Sequence, residues 1–425
     1  MRVDSGRAPS GSGAGGESSV WQHAERPDSG YAWRRLAVSL ALSTIGGIGL
    51  WSVIVSLPVI EAEFGVTRGN ASLPYTATMV GFAIGGVLMG RLADRFGIMA
   101  PVILGTLMLS TGYLAAAQAT SLWQFILAQA LLIGMLGSSA TFGPLVAEVS
   151  LWFLRRRGIA VAIVASGNYL AGTIWPPLLQ YAIDSVGWRQ AHMAIGVLCV
   201  VTMLPLALTL RRRAPVDDTS VPVSARDIAG TLRMSPATLQ VLLVVAGLAC
   251  CIAMSMPQVH IVAYCADLGY GPARGAEMLS LMLGFGVVSR LVSGLIADRI
   301  GGLGTLLLGS GLQCLALLFY LPFDGLTPLY IVSALFGLSQ GGIVPSYALI
   351  VRDYFPAREA GARVSLVLMA TIVGMAVGGW LSGAIYDLTG SYQAAFLNGI
   401  AWNLLNMSIA FWLLLGRLRP RRAAA

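Results

Sequence analysis

The chain has no lysine; its 27 basic side chains are all arginine. It has only three histidines, and charged residues make up 11% of its 425 positions. A soluble chain carries roughly 25% charged residues, so a water-soluble globular protein is excluded. The apolar runs contain no His/Asp/Glu cluster. Nothing there supplies a nucleophile with its base or a set of metal ligands, so neither an enzyme nor a cofactor is expected. The five cysteines (Cys199, Cys250, Cys251, Cys265 and Cys314) have neither CxxC nor metal-ligand spacing. They read as small apolar packing residues. A cleaved signal peptide is not expected either: the first apolar run is too long for an h-region and shows no small-residue cleavage site.

What is present is apolar length. Hydrophobic residues are 56% of the chain, and its mean hydropathy is +0.76. A bilayer core takes about 20 apolar residues per helical crossing. Twelve runs meet that length: Leu36–Ile60, Leu73–Leu92, Met99–Ala119, Trp123–Val146, Gly158–Ile183, Ala191–Leu210, Val241–Cys265, Ala276–Ile296, Leu303–Leu321, Thr327–Leu349, Ala362–Ile385 and Ala394–Leu415. They lack the alternation of barrel strands, and helices are the other way to satisfy backbone groups in lipid. The fold class expected is an all-α membrane protein with twelve transmembrane helices.

The arginines orient it. With twelve spans and both termini on one side, 23 of the 27 fall on that side. Arg68, Arg189 and Arg274 fall on the other, and Arg290 lies inside a span. The positive-inside rule then puts both termini in the cytoplasm. The same sorting accounts for a net charge of +8 and a pI near 9.5, so no nucleic-acid partner is expected. An all-arginine, Ala/Gly-rich composition suggests a bacterial inner membrane.

The chain repeats itself. Residues 90–97 read GRLADRFG and residues 294–301 read GLIADRIG, six spans apart. A charged, Pro/Ser-rich stretch lies between the halves. The expected organisation is a polar, disordered N-tail over 1–33, a six-helix bundle over 34–210, a linker over 211–236, a second bundle over 237–416 and a basic tail over 417–425. Two parallel six-span halves with a substrate path between them form a transporter architecture, and a single copy is the expected unit.

Arg290 is the residue most in need of an explanation. An arginine at membrane depth costs about 2.5–3.5 kcal/mol on insertion scales. Gly286, Arg290, Ser293 and Ala297 share one helix face, which is small or polar and belongs against protein or a water-filled cavity. Arg290 lies about 9 Å from the end of its span, so snorkelling to the headgroups is the competing reading. No Asp or Glu stands deep inside a span as its partner. Arginine binds a carboxylate through two parallel N–H···O bonds, so the preferred reading is a ligand for an organic anion. His260, near the outer end of span seven, titrates near neutral pH and is the candidate proton carrier. Asn168, Tyr169, Tyr264, Gln340 and Tyr347 are further buried polar candidates for substrate contact.

Three motifs carry a family resemblance. GRLADRFG resembles the loop motif of the major facilitator superfamily between spans two and three, though Ile98, Met99 and Ala100 stand where basic residues usually follow. The resemblance implies a gating role for Gly90, Asp94, Arg95 and Gly97, and for Gly294, Asp298, Arg299 and Gly301, with the charged pairs tying helix ends across the halves in one conformation. DSGYAW (Asp28–Trp33) is similar to the signature before span one of monocarboxylate transporters. LWFLRRRGIAVAIVASGNYLAG (Leu151–Gly172) looks like that family's second signature, with Phe153, Arg156, Arg157, Ala160, Ala162, Ala165 and Gly167 in its places.

That branch implies an arginine in span eight that binds the substrate carboxylate, and Arg290 occupies its position. Some members carry an Asp one turn earlier as a proton site; here Gly286 stands there. The lysines that some relatives place in spans one and eleven are absent. The expected function is secondary transport of small monocarboxylates of the lactate or pyruvate kind by alternating access, with proton coupling. The alternatives are exchange of another organic anion of the oxalate or formate kind, transport of an unrelated small solute, or a transporter-derived membrane sensor.

Overall fold

The computed structural model describes residues 28–153, 155–212, 235–355 and 357–418. The expectations for the N-tail before Asp28, for most of the linker and for the last seven residues lie outside the described residues. Among the described residues there are helices and no strand. The helices are α1 (Gly30–Gly46), α2 (Ile48–Phe64), α3 (Arg68–Phe96), α4 (Met99–Ala117), α5 (Leu122–Leu127), α6 (Gly143–Leu151), α7 (Arg157–Ala165), α8 (Gly167–Val186), α9 (Trp188–Leu208), α10 (Pro236–Asp267), α11 (Pro272–Phe319), α12 (Leu326–Gln340), α13 (Ile343–Tyr354), α14 (Ala357–Thr389) and α15 (Tyr392–Leu418).

Several spans are compound. Span one is α1 plus α2, joined at Gly47. Span four begins as α5, winds into a π-helix over Ala128–Gly137, tightens over Ser138–Thr141 and continues as α6. Among the described residues, eleven helical stretches have the length and composition to cross a membrane. The 48-residue α11 would be about 72 Å long if straight, more than twice a hydrocarbon core. It breaks at Gly301, whose φ of 77° and ψ of 171° lie outside the helical region. Both arms pack on α12: a Cβ on Gly337 would touch the Met282 carbonyl carbon, and one on Gly309 would touch the Ser339 carbonyl oxygen. The stretch is therefore two spans side by side, giving twelve crossings.

Local chemistry sets the ends. Ser29, Thr67, Ser121 and Ser235 each accept a hydrogen bond from a backbone N–H in the first turn of the helix they precede, which satisfies one of the groups a helix start leaves free. Pro236 follows its cap at the first helical position, where a missing N–H costs nothing.

The outer surface is apolar. Leu388, Tyr181, Leu295 and Trp123 are each more than two-thirds exposed, a pattern that suits lipid rather than water. Inside, the first six spans and the last six meet along two seams: α3 against α14, and α8 against α11. The candidate site lies at the second seam.

Candidate functional site

Arg290 points across the seam between the halves. Its Nη1 donates to the Ala165 carbonyl of α7 at 2.9 Å and its Nε to the Gly341 carbonyl at 3.4 Å. Its guanidinium carbon sits 4.4 Å from the ring centroid of Tyr169 on α8. Two carbonyls and an aromatic face orient the cation, but they carry no formal charge to neutralise it. No described carboxylate pairs with it. Arg290 is thus a half-buried, oriented cation whose charge no described carboxylate neutralises.

Gly286, one turn earlier, explains how the group packs. A Cβ there would lie 3.0 Å from the Tyr169 ring and 3.6 Å from Gln340 Nε2. The Tyr169 ring and the Gln340 amide thus fill the space a side chain would need, beside Arg290. Gln340 is fully buried, and its Nε2 has no hydrogen-bond partner. Its Oε1 accepts from Nε2 of Gln258 on α10. Ser289, also buried, has an unpartnered hydroxyl. Tyr169 of the other half thus lies against Arg290 and, across the Gly286 position, faces Gln340.

The other candidates make their contacts elsewhere. The Asn168 side chain and carbonyl both accept from Trp51 Nε1, at 3.2 and 3.0 Å, pinning α8 to α2 beside Tyr169. His260 is wholly buried, with Nε2 2.7 Å from the Gly379 carbonyl of α14 and Nδ1 unpartnered. Tyr264 packs edge-on against Tyr392 and Phe396. Tyr347 donates to Asn406 at 2.8 Å, and Asn406 donates to Ser310, a network within the last six spans. Sequence reasoning missed Gln258; a glutamine in an apolar run was the available signal, but its direction depends on packing.

The ion pair that joins the halves among the described residues lies at one face. Arg68, at the start of α3, is buried. It forks onto Asp267 at the end of α10, with N···O distances of 3.0 and 3.2 Å, and also bonds Tyr392 and Glu61. Asp387, at the end of α14, accepts from the Arg68 and Gly69 N–H groups at 2.9 and 2.7 Å, an anion at a helix N-terminus. Thr76 donates to the Ala376 carbonyl one level deeper. The halves are thus latched at the face opposite the termini. At the other face Asp94, Arg95, Asp298 and Arg299 are exposed and make no described tie across the halves. The repeat is nonetheless structural. Gly97 and Gly301 hold the same positive-φ conformation, (83°, 165°) and (77°, 171°), which side chains resist. At Gly90 and Gly294 a Cβ would meet nothing within 4 Å.

The two signature stretches prove to be one unit. Tyr31 packs on Trp152 with ring centroids 5.2 Å apart, and Trp33 on Phe153 at 5.1 Å. Arg35 donates to Glu148 at 2.7 Å. The Asp28 carboxylate accepts from the N–H groups of Arg155 and Arg156, at 3.0 and 3.4 Å. An arginine run at the start of a helix is electrostatically unfavourable; Asp28 supplies the compensating anion.

A polytopic helical bundle with two six-span halves, latched at one face and holding an arginine at their seam, has the build of a membrane transporter. Residues 39–328 and 305–425 match the family model of the Major Facilitator Superfamily, and the chain belongs to that family. It is 28% identical over 384 residues to a monocarboxylate transporter 13 of Bos taurus, covering 88% of this chain and 87% of that one. It is 27% identical to monocarboxylate transporter 11 of Mus musculus, covering 87% and 85%. Among solved structures, a bacterial homolog of the human lysosomal transporter Spinster, inward-facing and occupied, superposes with a TM-score of 0.68 at 14% identity. The match covers 91% of this chain and 97% of that one, and it shows the fold alone.

Proposed function

We propose that this protein moves small monocarboxylates across the membrane by alternating access. The observation that carries the proposal is Arg290: an oriented cation at the seam of the halves with no described carboxylate partner. The carboxylate takes the N–H groups of Arg290, and the Gln340 amide donates beside it. The similarity to monocarboxylate transporters over most of the chain supports the same substrate class. Bound anion neutralises the arginine, so the loaded halves can reorient about the site.

Proton symport is the proposed coupling, with His260 as the proton site. Its Nε2 is committed to the Gly379 carbonyl as a donor, so the unpartnered Nδ1 is the lone pair left to accept a proton. The latched Arg68 face is the extracellular one and the termini are cytoplasmic, as the arginine sorting supports. The composition supports a bacterial inner membrane, and a substrate path between the two halves of one chain supports a single copy as the working unit.

The test is uptake of labelled lactate and pyruvate into proteoliposomes, with and without an inward proton gradient. Wild type is expected to accumulate substrate, faster with the gradient. Arg290→Ala is expected to fall at least a hundredfold, and His260→Ala to lose the gradient response. Normal uptake by Arg290→Ala would reduce the arginine to a snorkelling residue and overturn the carboxylate reading.

A further inference from the structure

Gln258 and Gln340 form a buried amide pair that transport by itself does not explain. Gln258 lies on α10 and Gln340 at the end of α12; they are 3% and 0% exposed. An amide has an acceptor end and a donor end. Gln258 Nε2 donates to Gln340 Oε1 and so occupies the acceptor end. The donor end is left buried and unpartnered. It sits 3.6 Å from the position a Cβ on Gly286 would take. The Tyr169 ring approaches that same point to 3.0 Å, and its face carries the Arg290 guanidinium at 4.4 Å. The free N–H of Gln340 and the Tyr169 ring therefore flank one point beside Gly286, one turn from Arg290, where four helices from both halves meet.

We propose that Gln258 is a positioning residue: it holds the Gln340 amide with its N–H toward the anion bound at Arg290. The inference rests on the carboxylate reading of that site. Buried donors are almost always satisfied, so an unpartnered N–H one turn from Arg290 is an incomplete group awaiting an acceptor. Reversing the amide would turn the oxygen lone pairs toward the carboxylate and replace attraction by repulsion. Gln258 decides between these orientations without touching the substrate.

The experiment compares wild type, Gln258→Glu, Gln258→Met and Gln340→Met for labelled pyruvate uptake in proteoliposomes between pH 5.5 and 7.5. An ionised carboxylate at 258 accepts only, captures the Gln340 N–H and reverses the amide. Once protonated, it regains a donor and restores the native orientation. Gln258→Glu is therefore expected to raise KM at least tenfold over wild type at pH 7.5, with that ratio falling toward one at pH 5.5. Gln258→Met is expected to raise KM by a smaller factor that does not change with pH. A packing role would give a Gln258→Glu ratio flat in pH; that result, or a wild-type KM in Gln258→Met, overturns the proposal.

A substrate-free arm tests the pair itself through the Tm values of Gln258→Met, Gln340→Met and the double variant. Each single change strands one buried amide, so the double variant is expected to melt no lower than either single. Additive losses overturn the pairing. A wild type that neither binds nor transports pyruvate overturns the carboxylate reading and the ligand role together, while the melting cycle still reports whether the pair exists.

Discussion

At the scale of the residue, charge and shape act separately at Arg290. Its guanidinium is fixed by carbonyls on two sides and by the Tyr169 face. A lysine would keep the charge but lose the planar fork and the stacking. Arg290→Lys is thus expected to keep measurable pyruvate uptake with KM raised about tenfold, roughly 1.4 kcal/mol of binding, where Arg290→Ala shows none. Equal loss in both variants would mean that charge contributes nothing without geometry. Gly286 gives a second contrast. Some monocarboxylate transporters hold an Asp there, but here the Tyr169 ring and the Gln340 amide crowd the position. Gly286→Asp is expected to displace Tyr169 and to pair internally with Arg290 four residues on. The outcome is a raised pyruvate KM and no gain in proton dependence, read from uptake against pH.

At the scale of the element, α7 depends on a residue far from it in sequence. Asp28 takes a left-handed conformation, φ 61°, which aspartate tolerates better than most side chains. Its carboxylate accepts from the backbone just ahead of α7. Loss of such a cap costs about 1 kcal/mol. Asp28→Ala is expected to lower the Tm of the purified protein by a few degrees, while Asp28→Asn, which still accepts, loses less. Equal melting of all three would show that the aromatic contacts of Tyr31 and Trp33 hold the docking alone.

At the scale of the whole molecule, Arg68 ties the two halves together at one face. It belongs to the first six spans and bonds Asp267 and Tyr392 of the last six, while its backbone is held by Asp387. These bonds exist only while that face is closed, so they bias the equilibrium toward opening at the other face. Arg68→Ala is expected to populate the state open at the Arg68 face. Spin labels on cysteines placed at the exposed Val186 and Leu388 should then show a longer-distance population than wild type. The native cysteines are all buried and leave those labels undisturbed. An unchanged distance distribution would show that helix packing, not the latch, holds the face closed.

The twelve spans, the segregation of arginines, the repeated glycine-bounded turns and the anomaly of Arg290 were all legible in the sequence. Each depends on local quantities: run length against bilayer thickness, the cost of moving charge through lipid, and the backbone freedom of glycine. The division of α11 into two spans at Gly301 follows from the same length argument. What the tertiary structure decided is which polar groups meet. Asn168, Gln258, Gln340 and Tyr347 are alike as polar residues in apolar runs, yet one anchors Trp51, two pair near Gly286, and one serves a network inside its own half. A buried polar side chain must find a partner, but its helix has several neighbours, and only their rotation and distance choose among them. The same holds for Arg68, a loop charge by sequence and the hub of a closed face by packing.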